Sequence, residues 1–316
     1  MIPIGANVGV GTSSLAAVLD EVRAAATHGI RSVWWAERDS LDALTVAALA
    51  GALNPGLTVG TAVVTTYPRH PLTLAAQVMT VQAATGGRLV LGLGPGRQQR
   101  IETMFGRDAS RPIGHIREFL AALLPLLRGE GVEVYGETIT TRGRLGIPPI
   151  APPAVLLAAL GPKMLRLASD LVDGTITVWT GPRVIAERIA PAIDGRLVVN
   201  IPVAVTNDPD GVRADAATAF AAAQSVPGYQ ALFDQEGVAG PADIVVVGDD
   251  AEVERQLRRY EEAGATEIAA VPWGASEQIT RTLKLLGALN SARPDHSRGD
   301  EQLSSVPQAQ ISLGKA

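Results

Sequence analysis

The sequence predicts an α/β fold, a (β/α)8 TIM barrel with an insertion between its fourth and fifth units. Short apolar runs alternate with longer amphipathic runs, and eight strand–helix pairs fill residues 1–290 of the 316. Such alternation predicts a parallel sheet with right-handed crossovers. Eight units match one closed barrel better than a dinucleotide-binding domain joined to a second domain. Residues 291–316 are polar and without periodicity, and we expect them to form a disordered tail.

Each predicted strand is a short apolar run bounded by turn residues. The predicted strands are residues 2–8, 31–36, 57–64, 88–93, 154–158, 174–178, 197–206 and 267–271. The first helix begins after Ser13 or Ser14, either of which can cap it, and ends before Gly29. The other predicted helices are residues 42–53, 71–84, 110–128, 162–171, 182–193, 249–263 and 276–289, and residues 209–236 are expected to form several helical segments. Residues 244–247 are expected to form a short extra strand or an extended loop.

The regular pattern pauses between the fourth helix and the fifth strand. A loop rich in glycine and arginine is expected directly after the fourth strand. Residues 129–153 then contain the alternating segment VEVYGETIT, which predicts a small hairpin, and the proline-rich segment PPIAPP. We interpret this stretch as an insertion rather than a domain boundary, because the strand–helix repeat resumes after it.

Composition excludes several classes of protein. The chain has no cysteine, so disulfides, thiolate metal sites and a cysteine nucleophile are ruled out. The net charge of −5 favours neither nucleic acid nor an anionic membrane surface. We find no apolar run of the roughly 20 residues that a spanning helix needs. The first residues, MIPIGANVGVG, lack a basic region typical of a secretory signal, so a cytoplasmic protein is expected.

Basic residues follow five consecutive predicted strands, although the chain is acidic overall. They are Arg38, Arg69, Arg97, Arg100, Lys163 and Arg183. In a barrel of this kind the active site lies at the carboxyl ends of the strands. The positions therefore predict a positive mouth suited to an anionic ligand. The alternative is that loops and helix starts simply carry exposed arginines.

Residues 160–164, LGPKM, form the best candidate for a phosphate site. They follow a strand and open a helix, whose first N–H groups and dipole favour an anion, and Lys163 adds a charge. Pro162 is also typical of an ordinary helix start, so both interpretations stay open. The segment GLGPG at residues 92–96 is not a dinucleotide fingerprint, because Arg97 replaces the third glycine. It is either a bend that admits a flat ring or a plain turn.

The other candidate residues indicate a function less strongly. Trp34 and Trp35 are adjacent in a strand, so one faces the barrel interior and the other the helices. Glu37 and Arg38 follow at the strand end, either as catalytic or binding residues or as a surface ion pair. The four histidines show no ligand spacing, so no metal site is expected. No serine lies in a G-x-S-x-G context, so a serine hydrolase is not indicated.

Three stretches resemble the bacterial luciferase-like family of flavin- or deazaflavin-dependent oxidoreductases. They are LTVGTAVVTTYPRHPLTLAAQVMTVQAATGGRLVLGLGPG (57–96), LLAALGPKMLRLASDLVDGTITVWTGP (156–182) and GVAGPADIVVVGDDAEVERQLRRYEEAGATEIAAVPWG (237–274). The similarity spans residues 1 to about 290. It is strongest to the branch that uses coenzyme F420, typical of actinobacteria. The excess of arginine over lysine agrees with such a high-GC source.

The resemblance implies a coenzyme site in the barrel mouth. It implies a cis peptide bond at Ala62–Val63, behind the deazaflavin ring, and Thr65 at the polar edge of the ring. Gly94, Gly96 and Arg97 would lie beside the coenzyme. The residues implied for the phosphate and the coenzyme tail are Leu160, Gly161, Pro162, Lys163, Met164, Thr180 and Gly181.

Two positions depart from the sugar-phosphate dehydrogenases of the family. Those enzymes carry an Asp-His pair after the second strand, where this chain has Glu37 and Arg38. They carry a glutamate after the fourth-strand glycines, where this chain has Arg97. Since their acid and base are missing here, the resemblance implies a reductase. In a reductase the coenzyme carries the hydride, while the protein orients it and shields the site.

The expected activity is hydride transfer between the C5 carbon of coenzyme F420 and a small organic substrate that the sequence does not identify. An FMN-dependent monooxygenase on the same fold is the alternative, because both cofactors bring a tricyclic ring and a phosphate. A non-catalytic flavin or deazaflavin carrier is a third interpretation. A homodimer that packs through barrel helices is left open.

Overall fold

Eight parallel strands close into a barrel in the computed structural model, which describes residues 1–12, 14–37, 41–146 and 150–292. The strands are β1 (Ile4–Asn7), β2 (Ser32–Trp35), β3 (Thr58–Thr61), β4 (Val64–Thr65), β5 (Leu89–Gly94), β6 (Val132–Tyr135), β7 (Thr140–Gly143), β8 (Ala154–Ala158), β9 (Gly174–Val178), β10 (Arg196–Val205), β11 (Val246–Gly248) and β12 (Glu267–Pro272). The barrel order is β1, β2, β3, β5, β8, β9, β10 and β12. β12 then pairs with β1, where Ile4 lies opposite Ile268. The predicted TIM barrel is confirmed.

Helices cover the outside of the barrel. They are α1 (Leu15–Thr27), α2 (Ala43–Leu53), α3 (Pro71–Ala84), α4 (Gln98–Phe105), α5 (Pro112–Leu127), α6 (Pro162–Leu171), α7 (Pro182–Val184), α8 (Pro209–Ala219), α9 (Ala221–Gln224), α10 (Pro227–Glu236), α11 (Pro241–Ile244), α12 (Asp250–Glu262) and α13 (Ser276–Ser291). The Ser14 hydroxyl caps α1 by accepting the Ala17 N–H, and Asp42 caps α2 by accepting the Thr45 N–H. Such caps satisfy N–H groups that the helix itself leaves unpaired.

Apolar side chains fill the inside of the barrel. The buried members of this interior cluster are Trp34, Val90, Leu156, Ile176, Val198 and Ala269. Gly60 leaves room for the Trp34 ring, since a Cβ atom there would come within 2.3 Å of it. Trp35 belongs instead to the larger core between the strands and the helices. The prediction that the two tryptophans face opposite sides is confirmed.

A buried carboxylate lies at the N-terminal end of the barrel. Glu267 is 6% exposed and accepts hydrogen bonds from the Ser32 hydroxyl at 2.9 Å and Trp34 Nε1 at 3.3 Å. Arg196 Nη2 pairs with it at 2.7 Å. A buried charge is tolerated when it is paired and hydrogen-bonded in this way. The apolar cluster and the Glu267 ion pair fill the barrel interior towards the N-terminal ends of the strands. A ligand site therefore has to lie at the carboxyl ends of the strands.

The structure differs from the predicted elements at three places. The third strand, predicted as one run, is divided into β3 and β4. The predicted loop after the fourth strand contains helix α4, whose start carries no capping side chain and was therefore hard to recognise. The predicted helix over residues 182–193 begins as α7, widens into a π turn over Ile185–Ile189 and ends as a 3-10 turn over Ala190–Ala192. The predicted hairpin is confirmed as β6 and β7, and the extra strand as β11.

The last helix joins the first strand. The Asn290 carboxamide of α13 accepts the Ile4 N–H at 3.0 Å and donates to the Ile4 carbonyl at 2.8 Å. Residues 293–316, which include most of the predicted tail, lie outside the described residues. Within the described part of the chain, every helix is too short or too polar to cross a bilayer.

Candidate active site

A cis peptide bond between Ala62 and Val63 separates β3 from β4 at the barrel mouth. The second unit of the barrel holds this bulge by its backbone. The Ala62 N–H donates to the Trp35 carbonyl at 2.8 Å, and the Glu37 N–H donates to the Val63 carbonyl at 3.2 Å. The cis bond lies where the family resemblance implied it, whereas its role beside a cofactor stays a prediction.

Glu37 is fixed in the wall of the mouth by two further contacts. Its carboxylate accepts the Thr65 N–H at 2.6 Å and pairs with Arg69 Nη2 at 2.5 Å. Arg69 also binds Asp42 at 2.6 Å. Burial lowers the pKa of Arg69, but Asp42 and Glu37 outweigh this effect and raise the pKa above its ordinary value. Glu37 therefore connects the bulge to a charge network, and its predicted catalytic role stays a prediction.

The Asp42 carboxylate completes this network. Burial raises its pKa, but hydrogen bonds from Arg69 and Thr45 hold the pKa below its usual range. Asp42 therefore stays ionised and compensates the buried Arg69 charge together with Glu37. Arg38, the second predicted catalytic residue, lies outside the described residues.

Glycines bring the fourth-strand segment close to the bulge. A Cβ atom on Gly94 would lie 3.0 Å from the Val63 side chain and 3.1 Å from Ala158. Gly96 has a φ of +79°, and a Cβ atom there would lie 2.9 Å from Thr65. Side chains larger than hydrogen would therefore fill the space between these segments. The predicted residues of the third and fourth strands do come together, and they pack closely through small groups.

A cavity of about 640 Å³ lies between α4 and the turn that joins α9 to α10. Arg97, Gln98 and Met104 line one side of it, and Val226 and Pro227 line the other. Arg97 is exposed at the start of α4. The sequence indicated Arg97 but not the cavity, because α9 and α10 come from a segment far along the chain.

Two helix starts were predicted to bind the phosphate or the coenzyme tail. They differ in whether a carboxylate of the chain already binds their N–H groups. At α6, Gly161 makes no side-chain cap, and a Cβ atom on it would meet nothing within 4 Å. At α7, the Glu236 carboxylate accepts the Arg183 N–H at 3.2 Å and the Val184 N–H at 2.8 Å. The start of α6 is therefore open to an anion, whereas that of α7 is already occupied by a carboxylate of the chain.

The remaining residues predicted for the phosphate site include both exposed and buried ones. Pro162 and Lys163 are exposed at the start of α6. Met164 is 8% exposed and packs in the core under the helices, and Leu160 packs against the same core. Thr180 is fully buried, with its hydroxyl 2.9 Å from that of Thr177. Met164 and Thr180 therefore face the protein interior, and the Met164 N–H already donates to the Gly161 carbonyl at 3.0 Å.

The predicted positive mouth is weaker than the sequence suggested. Arg69 is neutralised by two carboxylates, and Arg183 pairs with Glu187 at 3.0 Å on the surface. The Arg100 guanidinium lies 5.7 Å from the centre of the Phe105 ring. Within the described ranges, Arg97 and Lys163 form no ion pair. Among the described residues of the predicted mouth, these two are the candidates to attract an anionic ligand.

A buried histidine lies behind β4. The His115 ring stacks on Tyr67, with 3.7 Å between the ring centres. Its two nitrogens contact the Thr66 hydroxyl at 3.0 Å and the Thr138 hydroxyl at 3.2 Å. Burial lowers the pKa of His115 to about 4, while the nearby Glu118 raises it slightly. His115 is therefore neutral at physiological pH and supports the mouth from behind.

Two asparagines of the barrel strands were not predicted from the sequence. Asn7 ends β1 and is 1% exposed, and Asn200 lies inside β10 and is 9% exposed. A polar amide inside an otherwise apolar strand, as in IGAN and LVVNIPVAV, was the available signal. A single amide within an apolar run is also common in ordinary strands, so this signal alone does not predict a site.

The family follows from comparison of the whole chain with known proteins. The model of the luciferase-like monooxygenase family matches residues 1–267. The protein therefore belongs to this family of oxidoreductases, and the resemblance recognised in the sequence is confirmed.

One relative and two solved structures illustrate the range of this family. A putative coenzyme F420-dependent oxidoreductase of Mycobacterium tuberculosis is 29% identical over 177 residues, covering 51% of this chain and 51% of that protein. The coenzyme F420-dependent tetrahydromethanopterin reductase of Methanopyrus kandleri shares the fold with a TM-score of 0.79 and 18% identity, covering 90% of this chain and 97% of that chain.

The other structure is an oxygenating component of 3,6-diketocamphane monooxygenase from Pseudomonas putida, in complex with FMN. It has a TM-score of 0.72 and 14% identity, and covers 90% of this chain and 97% of that chain. These two structures therefore show the fold alone. The chain spans about half the length of the curated relatives that it matches first.

Proposed function

We propose that this protein is a coenzyme F420-dependent reductase that delivers a hydride to a small organic substrate. The observation that carries the proposal is the packing of the Ala62–Val63 bulge against Gly94 and Ala158 at the barrel mouth. This surface consists of a peptide plane and small side chains, and such a surface fits the face of a flat tricyclic ring. The F420-dependent relative from Mycobacterium supports the same choice of coenzyme.

The ring and the phosphate have separate candidate positions. The ring would lie on this surface, against Ala62, Val63 and Gly94. The phosphate would lie at the open start of α6, where the Lys163 N–H and the helix dipole favour an anion. Lys163 would add a charge there, and Arg97 would lie beside the coenzyme. The start of α7 is a poorer candidate, because Glu236 already occupies it.

When bound, the deazaflavin would supply the hydride from its C5 carbon, and the protein would contribute orientation and exclusion of water. Glu37 is engaged by Arg69, and His115 is enclosed by Thr66 and Thr138. Neither is placed as a free acid or base, so the proton that completes the reduction would come from water. The cavity of about 640 Å³ beside α4 has the size of a small-molecule pocket.

An FMN-dependent monooxygenase is the second candidate. The observation that favours it is the fold shared with the FMN-bound monooxygenase component. FMN would offer the same ring face and a phosphate to the same positions. The two candidates differ in the cofactor that binds more tightly and in the use of oxygen.

The test is a binding titration of the purified protein with F420 and with FMN, in which the fluorescence of the cofactor reports binding. We expect a lower Kd for F420. We expect Lys163→Glu to raise that Kd by about ten-fold, because it reverses a charge near the phosphate. Lys284→Glu is the matched control, since Lys284 is also exposed but lies on α13.

The possible results separate the candidates. A lower Kd for FMN, with oxygen uptake on reduction, would replace the reductase by the monooxygenase. Tight binding of F420 with no oxidation of its reduced form by a panel of enones, imines and ketones would favour a carrier. Failure of both cofactors to bind would refute the proposal.

A further inference from the structure

Asn7 is a deeply buried polar side chain at the end of a barrel strand. It is 1% exposed, and neither its Oδ1 nor its Nδ2 atom has a hydrogen-bond partner among the described residues. Buried polar groups are nearly always satisfied, because leaving one unpaired costs folding free energy. An exception at the end of a barrel strand, where ligands of this fold bind, points to a ligand.

The direction of the Asn7 side chain follows from its strand. Ile4 and Ala6 belong to the core between strands and helices. The alternate residue Gly5 faces the interior, since a Cβ atom there would lie 2.8 Å from Trp34 Nε1. Successive side chains of a strand point to opposite faces. Asn7 therefore faces the barrel interior, one position above the apolar cluster.

Asn200 stands at the same level two strands away. It follows Val198, which belongs to the apolar interior cluster, at the next inward position of β10. Only β12 separates β10 from β1 in the barrel. Within the described part of the chain, the Asn200 carboxamide makes no hydrogen bond. Two unengaged carboxamides thus face the mouth from neighbouring positions.

The rest of this level is apolar and small. Inward side chains of alternate barrel strands share one layer, four to a layer. One inward position above Gly60 and Leu156 stand Ala62 and Ala158. The layer therefore consists of Asn7, Ala62, Ala158 and Asn200, and we call it the mouth floor. It carries two amides and no charge, and Ala62 belongs to the surface proposed for the coenzyme ring.

We propose that the mouth floor recognises an uncharged carbonyl compound, whose oxygen accepts a hydrogen bond from the Asn7 carboxamide and whose neighbouring polar group contacts Asn200. A carboxylate or phosphate would lose its hydration there against neutral donors only, which is costly. A neutral carbonyl loses less and gains the same bond. This inference deepens the proposed reductase, because it names the substrate class that would meet the ring at Ala62.

The first test measures binding apart from turnover. The side-chain amide NMR signals of Asn7, identified by their loss in Asn7→Leu, are followed while cyclohexenone is added with and without saturating F420. We expect them to shift, and we expect Asn7→Leu to raise the Kd for cyclohexenone about ten-fold. Cyclohexenecarboxylate, which is similar in shape but charged, should bind more weakly. Asn54→Leu, on the α2 cap at the other end of the barrel, is the control.

The second test measures stability without ligand. Because Asn7→Leu removes an unpaired buried amide, we expect its Tm to rise by about 2 °C. Asn54→Leu removes an amide that donates to the Ala50 carbonyl, so its Tm should fall. A purely structural Asn7 would behave like Asn54. The combination of higher Tm with weaker cyclohexenone binding is specific to a ligand-binding asparagine.

Several results would overturn the inference. They are an unchanged Kd for cyclohexenone in Asn7→Leu, tighter binding of the carboxylate than of the ketone, and a lower Tm in Asn7→Leu. Failure of the coenzyme proposal is visible separately. In that case neither F420 nor FMN would bind, while the NMR titration without cofactor would still decide the role of Asn7.

Discussion

Glu37 shows how a single residue at the mouth shapes the site without free acid–base capacity. Its backbone N–H and its carboxylate both bind the segment around Val63 and Thr65, while Arg69 holds the other carboxylate oxygen. The sequence placed Glu37 at a strand end correctly. It could not show the ion pair, because Arg69 lies 32 residues further on and the contact depends on the barrel register.

Glu37→Gln is therefore expected to affect stability and coenzyme binding together. Arg69 would keep its ion pair with Asp42 but lose the one with Glu37. Because this leaves the buried guanidinium with one carboxylate instead of two, the free energy of unfolding should fall by about 2 kcal/mol. The Kd for F420 should rise about three-fold as the bulge loosens. The measurements are urea unfolding and fluorescence titration. The control is Glu187→Gln in an exposed pair with Arg183, where we expect less than about 1 kcal/mol. Equal losses in the two variants would contradict the structural role of Glu37.

His115 gives the fold a dependence on pH. Burial lowers the pKa of His115 to about 4, from 6.5 for the ordinary group. As the pH falls below 6.5 the unfolded chain takes up this proton, but the folded chain does not until about pH 4. Stability from the neutral imidazole is therefore complete above the unfolded pKa and is lost on acidification towards the folded pKa.

When the pH falls from about 7 to about 5, we expect protonation of His115 in the unfolded chain to lower the free energy of unfolding of the wild type by about 2 kcal/mol. His115→Gln should lack this pH dependence. The difference in free energy of unfolding between this variant and the wild type should therefore be smaller at the lower pH. Urea unfolding at both pH values measures it, and His70→Gln serves as the control with an exposed histidine. A gap that stays constant with pH would show that His115 takes up its proton in the folded state.

At the scale of elements, the starts of α6 and α7 show what local sequence can and cannot predict. Both follow a strand and open with Gly-Pro, so the sequence treated them alike. The structure separates them through Glu236 at the end of α10, 52 residues beyond Val184. A local motif predicts unpaired N–H groups at a helix start, whereas their occupancy depends on a distant carboxylate.

Glu236→Ala is expected to loosen α7. The Arg183 and Val184 N–H groups would lose a charged acceptor, which is worth about 1–2 kcal/mol in a half-exposed position. Hydrogen exchange of these two amides should become at least about ten-fold faster. Asp234→Ala, an exposed residue on the same helix, should leave both amides unchanged. Unchanged exchange in Glu236→Ala would mean that other groups hold α7.

At the scale of the whole molecule, the eightfold alternation of apolar runs predicted the closed barrel, because each run has to pair with its neighbours to be buried. The short helix α4 was not predicted, since QQRIETMF has little apolar surface and its start lacks a capping side chain. The mouth floor was also missed. Asn7 and Asn200 are separated along the chain, and only closure of the barrel brings them to one level.

Closure also has a consequence for how the chain is made. β1 reaches its second neighbour only when β12 is available, and Ile4 is bound by Asn290 near the end of the last helix. On a ribosome that adds residues from the N-terminus, the first strand therefore keeps an open edge until nearly the entire barrel has emerged. Such an edge is a template for wrong pairing with other chains. We therefore expect that covering β1 during synthesis would reduce such wrong pairing.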